Sequence, residues 1–94
     1  MQYVIVDLSL GKVTAITTPA ILKLIRVNTV LSAHVCSIND GLASVIKLKS
    51  AKAADEIEYY EGGIEFPFNI VVAPAAGATG EILLGYEEYS GRNG

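Results

Sequence analysis

Apolar and polar residues alternate along several short stretches of this chain. In Glu81–Tyr89, Ile82, Leu84 and Tyr86 fall on one side while Glu81, Leu83, Gly85 and Glu87 fall on the other. A period of two is the mark of a β-strand with one face toward a core. Phe68–Ala73 is a short apolar run rich in β-branched residues. Between these two lies Pro74-Ala-Ala-Gly-Ala-Thr-Gly80, a small uncharged segment that reads as the loop of a β-hairpin. A second hairpin is predicted at Asn39-Asp40-Gly41, which joins Ala33–Ile38 to Ser44–Lys49, because glycine takes the left-handed position that closes a short turn.

Other segments follow the same pattern. Gln2–Val6 predicts a first strand, with a turn over Asp7–Lys12 that reverses at Gly11. Val13–Thr18 predicts a second strand, ended by Pro19. Ala20–Asn28 is apolar on both faces, Leu22-Leu24-Arg26 on one and Ile21-Lys23-Ile25-Val27 on the other. Pro19 suits the first turn of a helix, but the β-branched content and the lack of a cap favour a strand. A strand of that kind is either central between two layers or turned toward a partner. Asp55–Tyr60 predicts a further strand, with Ile57 and Tyr59 inward, and Gly62-Gly63 a turn after it. Ala51–Ala54 reads as a short connection with room for one helical turn.

About eight short strands with turns between them predict an all-β fold, a single antiparallel β-sandwich of jelly-roll type over residues 1–94. Residues 1–19 are either an arm or extra strands, and residues 90–94 a flexible tail. The expected core holds Ile46, Leu48, Ile57, Tyr59, Ile70, Val72, Ile82, Leu84 and Tyr86.

Composition changes this picture in one respect. A hydrophobic fraction of 51% and a mean hydropathy of +0.42 are high for 94 residues. Either the sandwich core is very well filled, or part of the apolar surface is buried against another copy or a partner. Residues 1–52 carry Lys12, Lys23, Arg26, Lys47, Lys49 and Lys52 against Asp7 and Asp40, a balance of +4. Residues 53–94 carry eight acids against Arg92, a balance of −7, and the two halves sum to −3. An acidic chain is a poor nucleic-acid binder. Opposite charges on the two halves offer a means of orienting neighbouring copies. No apolar run reaches the ~20 residues of a membrane-spanning helix, and no signal-peptide pattern opens the chain. One cysteine excludes an internal disulfide framework.

Four sets of residues carry possible chemistry. His34 and Cys36, two apart, invite a thiol nucleophile activated by imidazole, or else a packed thiol beside a half-buried ring. Glu56, Glu58, Glu61 and Glu65 suit a Ca²⁺ site, a glycosidase acid–base pair, or a solvated acidic face. Gly77-Ala-Thr-Gly80 lacks the Lys and the helix of a phosphate loop. Tyr59, Tyr60, Tyr86 and Tyr89 beside these acids suit a carbohydrate platform or a protein interface, with Tyr59 and Tyr86 inward and Tyr60 and Tyr89 exposed. These patterns predict no catalytic residue, no metal and no cofactor.

The order Ala20–Thr29, Ala33–Gly41, Gly63–Phe66, Asn69–Ala73 and Ala78–Tyr86 resembles small β-sandwich structural proteins of tailed-phage virions, over roughly residues 20–89. That group includes head decoration (cement) proteins and related head or tail accessory subunits. The resemblance implies a non-enzymatic virion protein, assembled in the host cytoplasm. Its expected partners are copies of itself, a trimer among the options, and a major capsid or tail protein. Neither nucleic acid nor membrane is expected as a direct partner. A small carbohydrate-binding module is the alternative. The expected interface centres on Ile21, Ile25 and Val27, with Lys23 and Arg26 at its rim and Tyr60 and Tyr89 as exposed aromatics.

Overall fold

The computed structural model describes residues 1–32, 34–48 and 55–88. They form β1 (Gln2–Asp7), a 3₁₀ turn (Leu8–Leu10), β2 (Val13–Ile16), β3 (Ala20–Thr29), β4 (Cys36–Asp40), β5 (Ala43–Leu48), β6 (Ile57–Phe66), β7 (Ile70–Pro74) and β8 (Glu81–Glu88). The strands make two antiparallel four-stranded sheets, packed as a single β-sandwich. The first sheet has the order β1-β8-β3-β6 and the second β2-β7-β4-β5. Among the described residues there is no α-helix. The two-faced segment Ala20–Asn28 is therefore a strand, and a central one.

The pairs are nested: β1 lies on β8, β2 on β7, β3 on β6 and β4 on β5. The chain changes sheet at every connection except the β4–β5 hairpin. That hairpin turns at Gly41, whose φ of 60° is left-handed, as expected from Asn39-Asp40-Gly41. Asp40 Oδ1 also accepts from the Phe68 and Asn69 amides, and Asn69 Oδ1 accepts from the Gly41 amide. Neutral turn chemistry thus becomes a charge-assisted tie between two loops.

The second predicted hairpin is corrected. β7 belongs to the second sheet and β8 to the first, so Pro74–Gly80 crosses from one layer to the other. Its backbone bonds run to the β3–β4 loop: the Ala75 amide donates to the Val35 carbonyl, and the Ser32 amide to Thr79. Ala78 is buried beneath it. Each strand finds better partners elsewhere, since β7 pairs with β2 and β4 and β8 with β1 and β3.

Residues 1–19 are the extra strands and not an arm. β1 and β2 form edges of the two sheets on the same side of the sandwich. Between them, Asp7 caps the 3₁₀ turn, and hydrogen bonds from the Ser9 hydroxyl and amide hold its carboxyl below the usual range. Gly62-Gly63 is not a turn between strands. Both residues lie within β6, at φ of 77° and 80°, and form a bulge. From Leu22 to Leu24 β3 advances two residues, while β6 goes from Ile64 to Tyr59, five residues. The extra residues bow out of the ladder, which only glycine does without strain.

The core lies between the sheets. Leu48, Ile70, Val72, Ile82 and Leu84 are buried in it as predicted, and Ile46 and Tyr86 pack against it. Ile57 and Tyr59 are corrected: both point outward, and Tyr59 is 72% exposed. Tyr60, Ile64 and Phe66 take the inner side of β6 on both sides of the bulge, so Ile57 and Tyr59 fall on the outer one. With apolar residues on both sides of this strand, the alternation does not say which faces the core. Residues 33, 49–54 and 89–94 lie outside the described residues, and with them the predicted Ala51–Ala54 connection and the tail.

Candidate docking face on the first sheet

β3 sets the geometry of this face. Ala20 and Leu22 point into the core, and so do Ile25 and Val27, at 1% exposure each. The spacing from Leu22 to Ile25 is odd because the ladder shifts between Leu22 and Leu24 against both neighbouring strands. Ile21, Lys23, Leu24 and Arg26 are left for the outer side. The expected patch of Ile21, Ile25 and Val27 is therefore corrected: Ile25 and Val27 belong to the core, and their place on the outer side falls to Leu24.

Neighbouring strands complete the surface. Residues directly opposite in an antiparallel sheet share a side. Tyr3 of β1 faces Gly85 of β8, which faces Leu24, which faces Tyr59 of β6. The next row runs Ile5, Leu83, Arg26, Ile57. Two rows thus cross all four strands, and every residue in them but Arg26 is uncharged. Gly85 permits the continuity: a Cβ there would meet Leu24 Cγ at 2.8 Å and Met1 Sδ at 2.9 Å, so both side chains close over β8. Tyr3 is 60% exposed and Ile5 58%.

Charges rim the rows. On one side Glu87, Ile21 and Glu65 stand opposite one another, with Lys23 Nζ 3.9 Å from Glu87. On the other are Asp7 and Glu81, and Asn28 Nδ2 donates to Glu81 Oε2 at 3.1 Å. Arg26 is drawn to the β6 edge by Asp55 Oδ1 at 2.8 Å. That pair is solvent-exposed and contributes little to stability. Its effect is positional, because it takes the guanidinium away from the centre of the face.

The remaining candidates separate. Tyr60 is half-buried, not exposed, and donates to Glu58 Oε1 at 3.1 Å. Burial, and then the Glu58 carboxylate, push its hydroxyl well above the usual phenol range. Tyr89 lies outside the described residues. The acidic residues do not share a site: Glu58 stands opposite the inward Ile25, and Glu65 opposite the outward Ile21. Cys36 is buried at the start of β4, where burial pushes its thiol up to about 11. His34 sits in the preceding loop, exposed, with Nδ1 at 3.0 Å from the Ser32 hydroxyl. A protonated thiol away from the imidazole is no nucleophile at neutral pH. His34 also lies against the Gly77 backbone, so the Gly77–Gly80 segment is part of a packed loop pair.

Among the described residues, no group of His, Cys, Asp or Glu is placed to hold a metal ion, and no helix is long and apolar enough to cross a membrane. Comparison with protein-family models, curated proteins and solved structures finds no match.

Sequence reasoning missed Tyr3, Ile5, Leu83 and Ile57 as members of this face. The signal was present in Ile5 and Leu83, aliphatic residues on the sides of β1 and β8 opposite Val4, Val6, Ile82 and Leu84. Only the strand order brings them beside Leu24.

Proposed function

We propose that this chain is a non-enzymatic structural subunit of a tailed-phage virion, a decoration subunit that binds the head shell through the outer face of the first sheet. The two uninterrupted rows Tyr3-Gly85-Leu24-Tyr59 and Ile5-Leu83-Arg26-Ile57 carry this reading. Four strands span about 19 Å, and two alternate rows take about 13 Å along them, so the rows cover roughly 250 Å² in plan inside their charged rim. Contiguous exposed apolar surface of this order, with Tyr and Arg inside an acidic rim, is the composition of a protein-docking surface. Its burial favours association at about 25 cal/mol per Å², less the cost of ordering two bodies.

The nested strand pairs also support a jelly-roll winding, an architecture shared by capsid and lectin domains. Fold alone does not choose between them. The aliphatic side chains among the rows, Ile5, Leu83, Leu24 and Ile57, favour a protein partner over a sugar. A tail or head–tail accessory subunit is the second reading, with the same face and a different shell.

Light scattering on the purified protein, alone and mixed with empty phage shells, tests the proposal. Saturable mass gain on shells, lost in Leu24→Asp and kept in Ser37→Asp on the opposite sheet, is the expected result. Binding to tails instead selects the second reading. Glycan-array binding that is lost in Tyr59→Ala, with no mass added to shells or tails, overturns both.

A further inference from the structure

β1 is the least guarded sheet edge among the described strands. Edges normally carry charge, bulges or proline that prevent another strand from pairing. β6 has Glu58, Glu61, Glu65 and the Gly62-Gly63 bulge. β2 is four residues long, with a register shift between Thr14 and Ile16. β5 carries Lys47 on its outer side, and its ladder shifts next to the turn. β1 runs Gln2-Tyr-Val-Ile-Val-Asp7 in unbroken register, with no charge before its last residue.

The hydrogen bonds left free on β1 can be assigned. The Leu8 amide donates to the Gly80 carbonyl at 2.9 Å, one step beyond the Asp7–Glu81 pair. Bonding alternates along an antiparallel ladder. Val6 and Val4 therefore turn their N–H and C=O toward β8. Tyr3, Ile5 and Asp7 turn theirs to the open edge.

We infer that β1 pairs with β1 of a second copy, antiparallel about a two-fold axis at Ile5, joining the two first sheets into one continuous sheet. The strand is self-complementary in this register. Ile5 meets Ile5 and Tyr3 meets Asp7, so every free N–H finds a free C=O. Side-chain parity also matches: the outward Tyr3, Ile5 and Asp7 oppose one another, and Val4 opposes Val6. A one-residue slip would place inward residues against outward ones. The same contact has apolar surface to bury. A cleft of about 330 Å³ opens between β1 and β2, lined by Val4, Val6, Leu10 and Val13 among others. Leu10 and Val13 are exposed at its mouth. About the two-fold axis the two clefts face each other and close into one seam. Isologous pairing of this kind is the commonest form of oligomer. It also makes one docking surface of two outer faces, since Tyr3 and Ile5 lie at the junction.

Light scattering across a dilution series tests the pairing, together with amide exchange resolved by residue. The wild type should show twice the 9.9 kDa chain mass and fall to one chain on dilution. Ile5→Pro removes only an open-edge amide and should halve the mass with the β circular dichroism signal intact. In the pair, the Tyr3, Ile5 and Asp7 amides should be protected alongside Val4 and Val6, and dilution should expose only the first three. A wild type of single-chain mass throughout overturns the inference. So does a folded Ile5→Pro that still pairs, or a pair whose Tyr3, Ile5 and Asp7 amides exchange freely. The exchange pattern decides the matter if Ile5→Pro does not fold. Leu24→Asp should retain the pair, so loss of shell binding and loss of pairing are separable failures.

Discussion

The two outer faces of this sandwich differ although each sheet has four strands. The first presents Tyr3, Ile5, Leu83, Leu24, Ile57 and Tyr59 in two rows across four strands. On the second, Thr14, Val71 and Asn39 make one row, with Val71 covered to 4% exposure, and Ala73, Ser37 and Lys47 the next. Inner faces must both be apolar, because they make one core. Outer faces are free to differ. The second mixes a covered Val71 and an exposed Val45 with small and polar residues and Lys47 at its edge. The first has the composition of an interface. Exposed apolar side chains such as Leu10, Leu42, Val45 and Phe68 occur elsewhere too, but on the first face they line up in rows across four strands.

The largest expected effect separates inside from outside on β3. Ile25→Asp places a carboxylate in the core and should cost more than about 4 kcal/mol, enough to unfold a small domain. Leu24→Asp, one residue away, should cost less than about 1 kcal/mol in a urea melt. Equal losses at the two positions would show that the bulge at Leu22–Leu24 does not place Leu24 outward.

The bulge itself comes next. Gly63 has a φ of 80°, and a Cβ there would collide with Ile21 Cγ2. Gly63→Ala should lower stability by about 1–3 kcal/mol, read as a shift of the urea midpoint with unchanged slope. Gly41→Ala, where a Cβ meets nothing within 4 Å, should cost less.

Removing the contrast between the faces should cost assembly and not folding. Leu24→Asp should weaken shell binding tenfold or more, equivalent to about 1.4 kcal/mol. Ser37→Asp should leave it within twofold, a change of about 0.4 kcal/mol by the same conversion. Loss in both variants would mean that the face is not the determinant.

The smallest effect per pH unit is a pH dependence on the core side of the second sheet. The Cys36 thiol titrates near 9.0 when unfolded and at about 11 in the fold. Below pH 9 both states hold the proton, and the contribution to stability is complete. Between pH 9 and 11 only the folded state holds it, so stability should fall, by on the order of 1 kcal/mol per pH unit at most. Cys36→Ala should abolish that slope in urea melts, while Lys47→Ala on the solvent side should leave it unchanged.

Local pattern by itself determined that this chain is a β-sandwich and where most strands lie. Alternation in Gln2–Val6, Ser44–Leu48 and Glu81–Glu87 was sufficient, because a strand's two sides answer to different solvents. Turn chemistry determined the hairpin at Asn39–Gly41, because a left-handed residue reverses the chain whatever surrounds it. Tertiary structure alone decided which strands pair. Pro74–Gly80 has the composition of a hairpin loop, yet pairing energy belongs to partners distant in sequence, and β7 and β8 each found two in opposite sheets. It also decided the sides of β3 and β6. The irregularity at Leu22–Leu24 inverts the alternation of β3 beyond it, and it is set by register against both β6 and β8, with Gly63 close to Ile21. That inversion sent Ile25 and Val27 into the core and brought Leu24 out beside Tyr59, and so moved the candidate site from one strand to the outer face of four.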